Sequence, residues 1–392
     1  MFNKPINRRL APLYIGRFFA NFVLWYSIEK LFMQSIGIDI ATIGLLAAVY
    51  AAASFLMEAP SGILADRWSR KGVMMLSGLA LAVSSLLGYF STDVTLYLFA
   101  ALAWGIFDAL ASGTSDSMIY DALLDEQIDT KHFNRYLSMT QIISGVGLVL
   151  GALLGAYVAS QSSLNIPYLI TVPTALLAVI SYAFFKDSTR QHADPDAKLL
   201  THTKNTFRVV FRNANLTYIL VSLICISVAG GVIGEMSQTW FLAVNFTTAQ
   251  FGIASAAIML IWGLSGVAAL LIANRTRVVF FSLLAIVGTL GFIFSRNLFV
   301  ITVALCIVGI IAQGLQVYLT SLVHDHLPSK YRAGAGSAIN TARRLIFIPF
   351  VVLFGFIAQY ASIFTASWMI TAMLCVALVT ELSVKRRSMR RV

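Results

Sequence analysis

The chain is 392 residues long, 58% hydrophobic and only 11% charged. Soluble domains run at about 45–50% apolar and about 25% charged, so the composition excludes a soluble globular protein and implies a polytopic membrane protein, with room for roughly twelve spans of about 20 residues. The net charge of +11 is not the footprint of a nucleic-acid partner, because the cations sit in alternate connections between apolar segments, as described below. In chain order, residues 1–10 form a basic leader and 11–33 the first expected span, too long for a removable signal peptide. An ionisable group inside a span is costly and marks a candidate site; this span holds Arg17, Glu29 and Lys30. Lys30 reads as an interfacial anchor snorkelling to water, Arg17 as reaching the headgroups, and Glu29 as a proton or substrate carboxylate. Asn21 is a candidate pocket amide, since an unpaired amide in hydrocarbon is expensive.

The second expected span, 40–62, and the third, 72–91, flank a short cationic elbow, EAPSGILADRWSRK, at residues 58–71. Within it Gly62, Asp66, Arg67, Arg70 and Lys71 stand as G-x-x-x-D-R-x-x-R-K, with Ser69 one place before Arg70. This pattern resembles the loop between the second and third helices of the major facilitator superfamily, G-x-x-x-D-[RK]-x-G-[RK]-[RK], and departs from it at Ser69 alone. The resemblance implies an all-α membrane protein of twelve transmembrane helices in two pseudo-symmetric six-helix halves, here 1–186 and 214–392 joined by a cytoplasmic linker, 187–213. It also implies a latch: Asp66 facing the start of the eleventh helix, where Gly334 and Gly336 allow close approach, and Arg70 pairing with Asp121 at the end of the fourth.

The fourth span, 94–120, carries Asp108 in mid-membrane and Asp116 eight residues later; on one continuous helix both project from nearly the same face. A carboxylate in a low-dielectric cavity can bind and release a proton near neutral pH, so both are candidates for proton coupling or substrate contact, the alternative for Asp108 being a permanent ion pair with Arg344. The fifth span, 136–159, has Gln141 and the glycines 145, 147, 151 and 155. These resemble the antiporter motif G-x-x-x-G-P-x-x-G, but Ala152 stands in the place of proline, and the reading preferred is ordinary small-residue packing. The sixth span is 166–185.

After the polar stretch 186–215 the pattern repeats, with spans at 214–237, 248–272, 278–295, 298–323, 335–360 and 364–383. Asp121 with Arg135 is echoed by Asp325 with Arg332, and the elbow by residues 272–277, with Asn274 at the acidic position; such repeats characterise secondary transporters. Glu235 follows Gly230, Gly231 and Gly234, which reads as a loosened helix beside a cavity. That makes Glu235 a candidate to take a proton or a cationic substrate, the alternative being an interfacial, solvated glutamate. Arg343 and Arg344 point about 100° apart, and Gln313 and Asn340 complete the candidate amides. Of the 28 Lys and Arg, all but Arg17, Lys30, Arg296, Arg343 and Arg344 fall at residues 4–9, 67–71, 131–135, 186–212, 275–277, 330–332 and 385–391. Cytoplasmic loops carry such an excess, which puts both termini on the cytoplasmic side; the expected location is a plasma membrane, here a bacterial inner membrane.

Cys225, Cys306 and Cys375 form neither a disulfide framework nor a metal cluster, and no P-loop or HExxH run is present. An enzyme, an ATP-driven pump and a cofactor are therefore not expected. The expectation is a monomeric secondary active transporter whose partners are a small-molecule substrate, protons and membrane lipid. Its leading reading is proton-coupled efflux of hydrophobic or cationic compounds; the alternative is uptake or export of an anionic metabolite through Arg343 and Arg344.

Overall fold

The computed structural model describes residues 4–188, 214–272, 274–325 and 329–389. Every regular element among them is helical: α1 (Lys4–Asn21), a 3₁₀ turn (Trp25–Ile28), α2 (Glu29–Ser35), α3 (Ile40–Arg67), α4 (Arg70–Phe90), α5 (Val94–Ala111), α6 (Thr114–Asp125), a 3₁₀ turn (Thr130–His132), α7 (Phe133–Gln161), α8 (Ile166–Ala183), α9 (Ala214–Ala243), α10 (Thr248–Leu271), α11 (Arg275–Phe294), α12 (Leu298–Asp325), α13 (Ser329–Tyr360) and α14 (Ile363–Met389). Among the described residues, ten stretches are long and apolar enough to cross a bilayer, α5 and α6 together making one of them. Adding the interrupted first span and the shorter apolar run Thr248–Ile261 of α10 accounts for twelve.

The described chain separates into two compact units. The first comprises residues 1–39, 49–195 and 247–259; the second comprises 40–48, 196–246 and 260–392. In the first unit α4 packs on α5 and α8, and α1 packs on α7 and α8. In the second, α11 packs on α12 and α14, while α9 packs on α14, α12 and α13. The faces left over carry Leu, Ile, Val and Phe at high exposure, as suits surfaces solvated by lipid tails. Close approach in the second unit uses glycine pairs: a Cβ on Gly44 would lie 2.9 Å from the Val351 carbonyl and 3.1 Å from Gly355 Cα.

Four expectations change. The first span is not one helix: α1 ends at Asn21, and the chain unwinds before the 3₁₀ turn and α2. The fourth span breaks at Ser112–Gly113, where Gly113 adopts φ +73°, a left-handed conformation open to glycine at little cost. Asp108 and Asp116 therefore sit on different helices, and the shared-face geometry of one helix does not apply. The elbow is mostly helix, since α3 runs to Arg67 and α4 begins at Arg70, leaving only Trp68 and Ser69 between them. Finally, α9 is unbroken around Glu235; Gly230 and Gly231 instead let Ala312 and Phe347 approach within 3.3 Å of where a Cβ would stand.

Ser69 explains its own departure from the expected glycine. Its side chain caps α4, Oγ accepting from Gly72 N at 2.9 Å, as N-cap serines do. Asn274 does the same for α11, accepting from Arg277 N at 2.9 Å.

Candidate functional site

The interruption of the first span organises the first unit. Nothing in Phe22–Val23–Leu24 breaks a helix by itself; the partner helix does it. On α7, Gly147, Gly151 and Gly155 lie four apart, one above another. A Cβ on Gly147 would stand 2.6 Å from Phe18 O, on Gly151 2.9 Å from both N and O of Val23, and on Gly155 1.7 Å from Leu24 O. The unwound backbone thus lies directly in a glycine groove, which is what those glycines are for here. Irregular backbone at membrane depth must be satisfied by protein groups, and side-chain hydroxyls do so. Leu24 N donates to Thr171 Oγ1 at 3.1 Å, while that hydroxyl donates to Pro167 O at 2.8 Å. Thr174 Oγ1 reaches Phe22 O at 3.4 Å, and Ser27 Oγ donates to Ala152 O at 2.7 Å. Losing one buried hydrogen-bond partner of this kind costs about 1–3 kcal/mol.

The break aims the two residues that follow it. Trp25 stacks on Tyr168, with ring centroids 5.0 Å apart and planes 1° from parallel, and its Nε1 donates to Ser85 Oγ at 3.0 Å. It meets Trp104 edge-on at 5.0 Å, and Tyr26 lies 5.9 Å from Trp104 at 33°. Trp104 and Asp108 are one turn apart on α5 and so share a face, and Ser54 Oγ donates to Asp108 Oδ2 at 2.6 Å. The result is a half-buried wall of Tyr26, Trp104 and Asp108: two electron-rich rings beside a carboxylate. Such a surface attracts a cation with an apolar body, through the ring quadrupoles and the carboxylate together.

Behind this wall, Lys30 is not an interfacial anchor. Its side chain is 2% exposed, against 16% for Glu29, and its Nζ lies 2.7 Å from Glu29 Oε2. Tyr97 OH donates to Glu29 Oε1 at 3.1 Å and lies 3.0 Å from Tyr168 OH. The ammonium is enclosed by the bundle instead of reaching water, because the break carries the start of α2 inward. Glu29 is thereby tied into a buried network, with Lys30 from its own helix, Tyr97 from α5 and Tyr168 from α8.

The remaining candidates are distributed. Asn21 Nδ2 donates to Arg17 O at 2.8 Å, closing the last turn of α1. Arg17 is half-buried on α1, on the side of Asp116 of α6 and Tyr182 of α8. Gln141 on α7 is exposed. In the second unit Glu235, Gln313 and Arg344 are half-buried and Asn340 is exposed.

At the end of the first unit that carries the chain's start, Arg70 pairs with Asp121, donates to Ser117 O at 3.0 Å and reaches Asp66 at 3.5 Å. Gly62, Asp66 and Arg67 are exposed, and Lys71 is half-buried. Residues invisible to motif reasoning complete this cluster. Asp187 accepts from Ser69 Oγ at 2.7 Å and from Lys71 N at 3.3 Å, and Arg9 holds Asp125 at 2.6 Å and Glu126 at 3.2 Å. A lone acid after the sixth span and one arginine of the basic leader carry no signal of this pairing. The side chains of Arg332, Gly334 and Gly336, His324 and His326, and the linker from residue 189 onward, lie outside the described residues.

Comparison with known proteins follows the same lines. Residues 10–351 match the family described as Major Facilitator Superfamily. The tetracycline resistance protein, class H, of Pasteurella multocida is 25% identical over 341 residues, covering 81% of this chain and 80% of that protein. Among solved structures, a mutant of the nucleoside transporter NupG superimposes with a TM-score of 0.78 at 15% identity, covering 97% of this chain and 99% of that one. A bacterial homologue of the human lysosomal transporter Spinster, inward-facing and occupied, gives 0.72 at 14% identity over 98% of each chain. A POT family transporter in complex with 5-aminolevulinic acid gives 0.71 at 13% identity over 96% of each. At such identities the solved structures establish the fold.

Proposed function

The chain belongs to the Major Facilitator Superfamily and is a multi-pass membrane transporter, not an enzyme, and from that premise we propose that it exports hydrophobic or cationic compounds in exchange for protons. The observation that carries this reading is the wall formed by Tyr26, Trp104 and Asp108. Rings and a carboxylate suit a cation with an aromatic body, and the similarity to a tetracycline resistance protein points the same way. Asp108 is the group that trades a proton for substrate, with Asp116 next to Arg17 a second carboxylate on the separate helix α6. Arg70, Asp121 and Asp66 act as a latch at the basic end, which we place in the cytoplasm of a bacterial inner membrane together with both termini. The working unit is a monomer built of halves 1–186 and 214–392.

The test uses inside-out membrane vesicles bearing an imposed proton gradient, with ethidium and tetracycline as probes. Uphill movement of at least one probe is expected, lost when a protonophore collapses the gradient and strongly reduced in Asp108→Asn. Purely downhill flux that ignores the gradient would sink the coupling.

A further inference from the structure

We infer that Thr171 and Ser27 are positioning residues that set the substrate specificity of the Tyr26–Trp104–Asp108 wall by holding the first span open at Phe22–Leu24; this rests on the proposed function of that wall. Neither residue belongs to the wall. Each acts on the backbone from which it hangs. In an uninterrupted helix Leu24 N–H would bond the carbonyl four residues earlier; here it goes to Thr171 Oγ1. Ser27, in the turn that follows, is pinned to Ala152 O on α7, and Ser255 Oγ reaches Ser27 O at 3.2 Å. Trp25 and Tyr26 lie between these two attachments.

The consequence is geometric. Each residue rewound into a helix turns by about 100° and rises about 1.5 Å. Closing the break from Asn21 onward would therefore swing Tyr26 off Trp104 and draw Trp25 away from Tyr168. Thr171 is fully buried, as is Ser27, so neither hydroxyl can exchange its bond for one to water. The hydroxyl at 171 is what makes Leu24 N–H satisfied in the open form, and the groove made by Gly147, Gly151 and Gly155 is what leaves room for it. The ring spacing that decides which cations fit is thus set by contacts to α7 and α8, outside the wall itself.

The experiment uses the purified full-length chain and its variants Thr171→Val, Thr171→Ser and Ser27→Ala. Near-ultraviolet circular dichroism reads the coupled rings of Trp25, Trp104 and Tyr168 without any ligand. Binding of tetraphenylphosphonium and of tetramethylammonium reads selectivity for an aromatic over a small cation. Thr171→Val should lose part of the tryptophan signal and lower the affinity ratio about tenfold, the scale of a cation–aromatic contact. Thr171→Ser should restore both, and Ser27→Ala should shift both in the same direction as Thr171→Val. Unchanged spectra and ratios in Thr171→Val and Ser27→Ala overturn the inference, as does equal damage from valine and serine at 171. If the valine variant does not fold, Ser27→Ala decides alone. If the wild type binds neither cation, the proposed function fails while the spectra still judge the positioning role.

Discussion

At the scale of single residues, the strongest constraints are steric and electrostatic, and both can be measured by comparing near neighbours. Gly145 and Gly155 sit on the same helix, yet a Cβ on Gly145 meets nothing within 4 Å while one on Gly155 meets Leu24 O at 1.7 Å. Gly155→Ala is therefore expected to disrupt the packing of the broken span, lowering the melting temperature of the purified protein by several degrees or preventing its recovery. Gly145→Ala should be neutral or slightly stabilising, given the roughly 1 kcal/mol helix advantage of alanine. Lys30 and Glu29 allow a second comparison. Breaking a buried pair from one side costs about 3–5 kcal/mol, because the abandoned charge stays buried, whereas replacing both partners is often close to neutral. Lys30→Met alone should be poorly folded, and Lys30→Met with Glu29→Gln should recover most of the loss in thermal unfolding. Failure of the double variant to recover would mean that Lys30 serves something other than Glu29.

At the scale of elements, the sequence announces a helix better than it announces where a helix stops. The lengths of the apolar runs and the charges between them locate the spans, though not where α1, α3 and α5 end, because hydrocarbon leaves few alternatives to a helix. The break in the first span was not legible, since Phe22, Val23 and Leu24 are ordinary span residues and the cause sits on α7 and α8. Its trace was the glycine series 147, 151 and 155, which reads as general close packing until the partner is known. The break at Gly113 was marked by a glycine within the run, but apolar continuity outweighed it. The same distance effect hid the enclosure of Lys30, which depends on where α2 starts. Ser69, in contrast, stands in the sequence beside the helix it caps. Ser69→Ala should cost about 1 kcal/mol and Ser69→Gly only a few tenths, a ranking that thermal shift of the two variants can check. Equal losses in both would put the weight on the Asp187 contact, which either substitution removes, instead of the cap.

At the scale of the whole molecule, the sign of the transported charge is the property on which the two readings of the sequence differ. A carrier of an anionic metabolite needs a cation that contacts the substrate. Arg343 and Arg344 are both half-buried candidates in the second unit, of which Arg344 is the one expected to face Asp108. Removing one member of a desolvated charge contact costs about 3–5 kcal/mol, or roughly two to three and a half powers of ten in affinity. An exporter of cations that binds at Asp108 loses no such contact when Arg344 is neutralised. Arg344→Gln is therefore expected to keep ethidium transport in energised vesicles within about threefold of wild type, whereas Asp108→Asn should reduce it at least tenfold, the loss of one charge-assisted contact. The opposite ranking, with Arg344→Gln inactive and Asp108→Asn competent, would reverse the assigned charge of the substrate and move the binding site from the first unit's aromatic wall to α13.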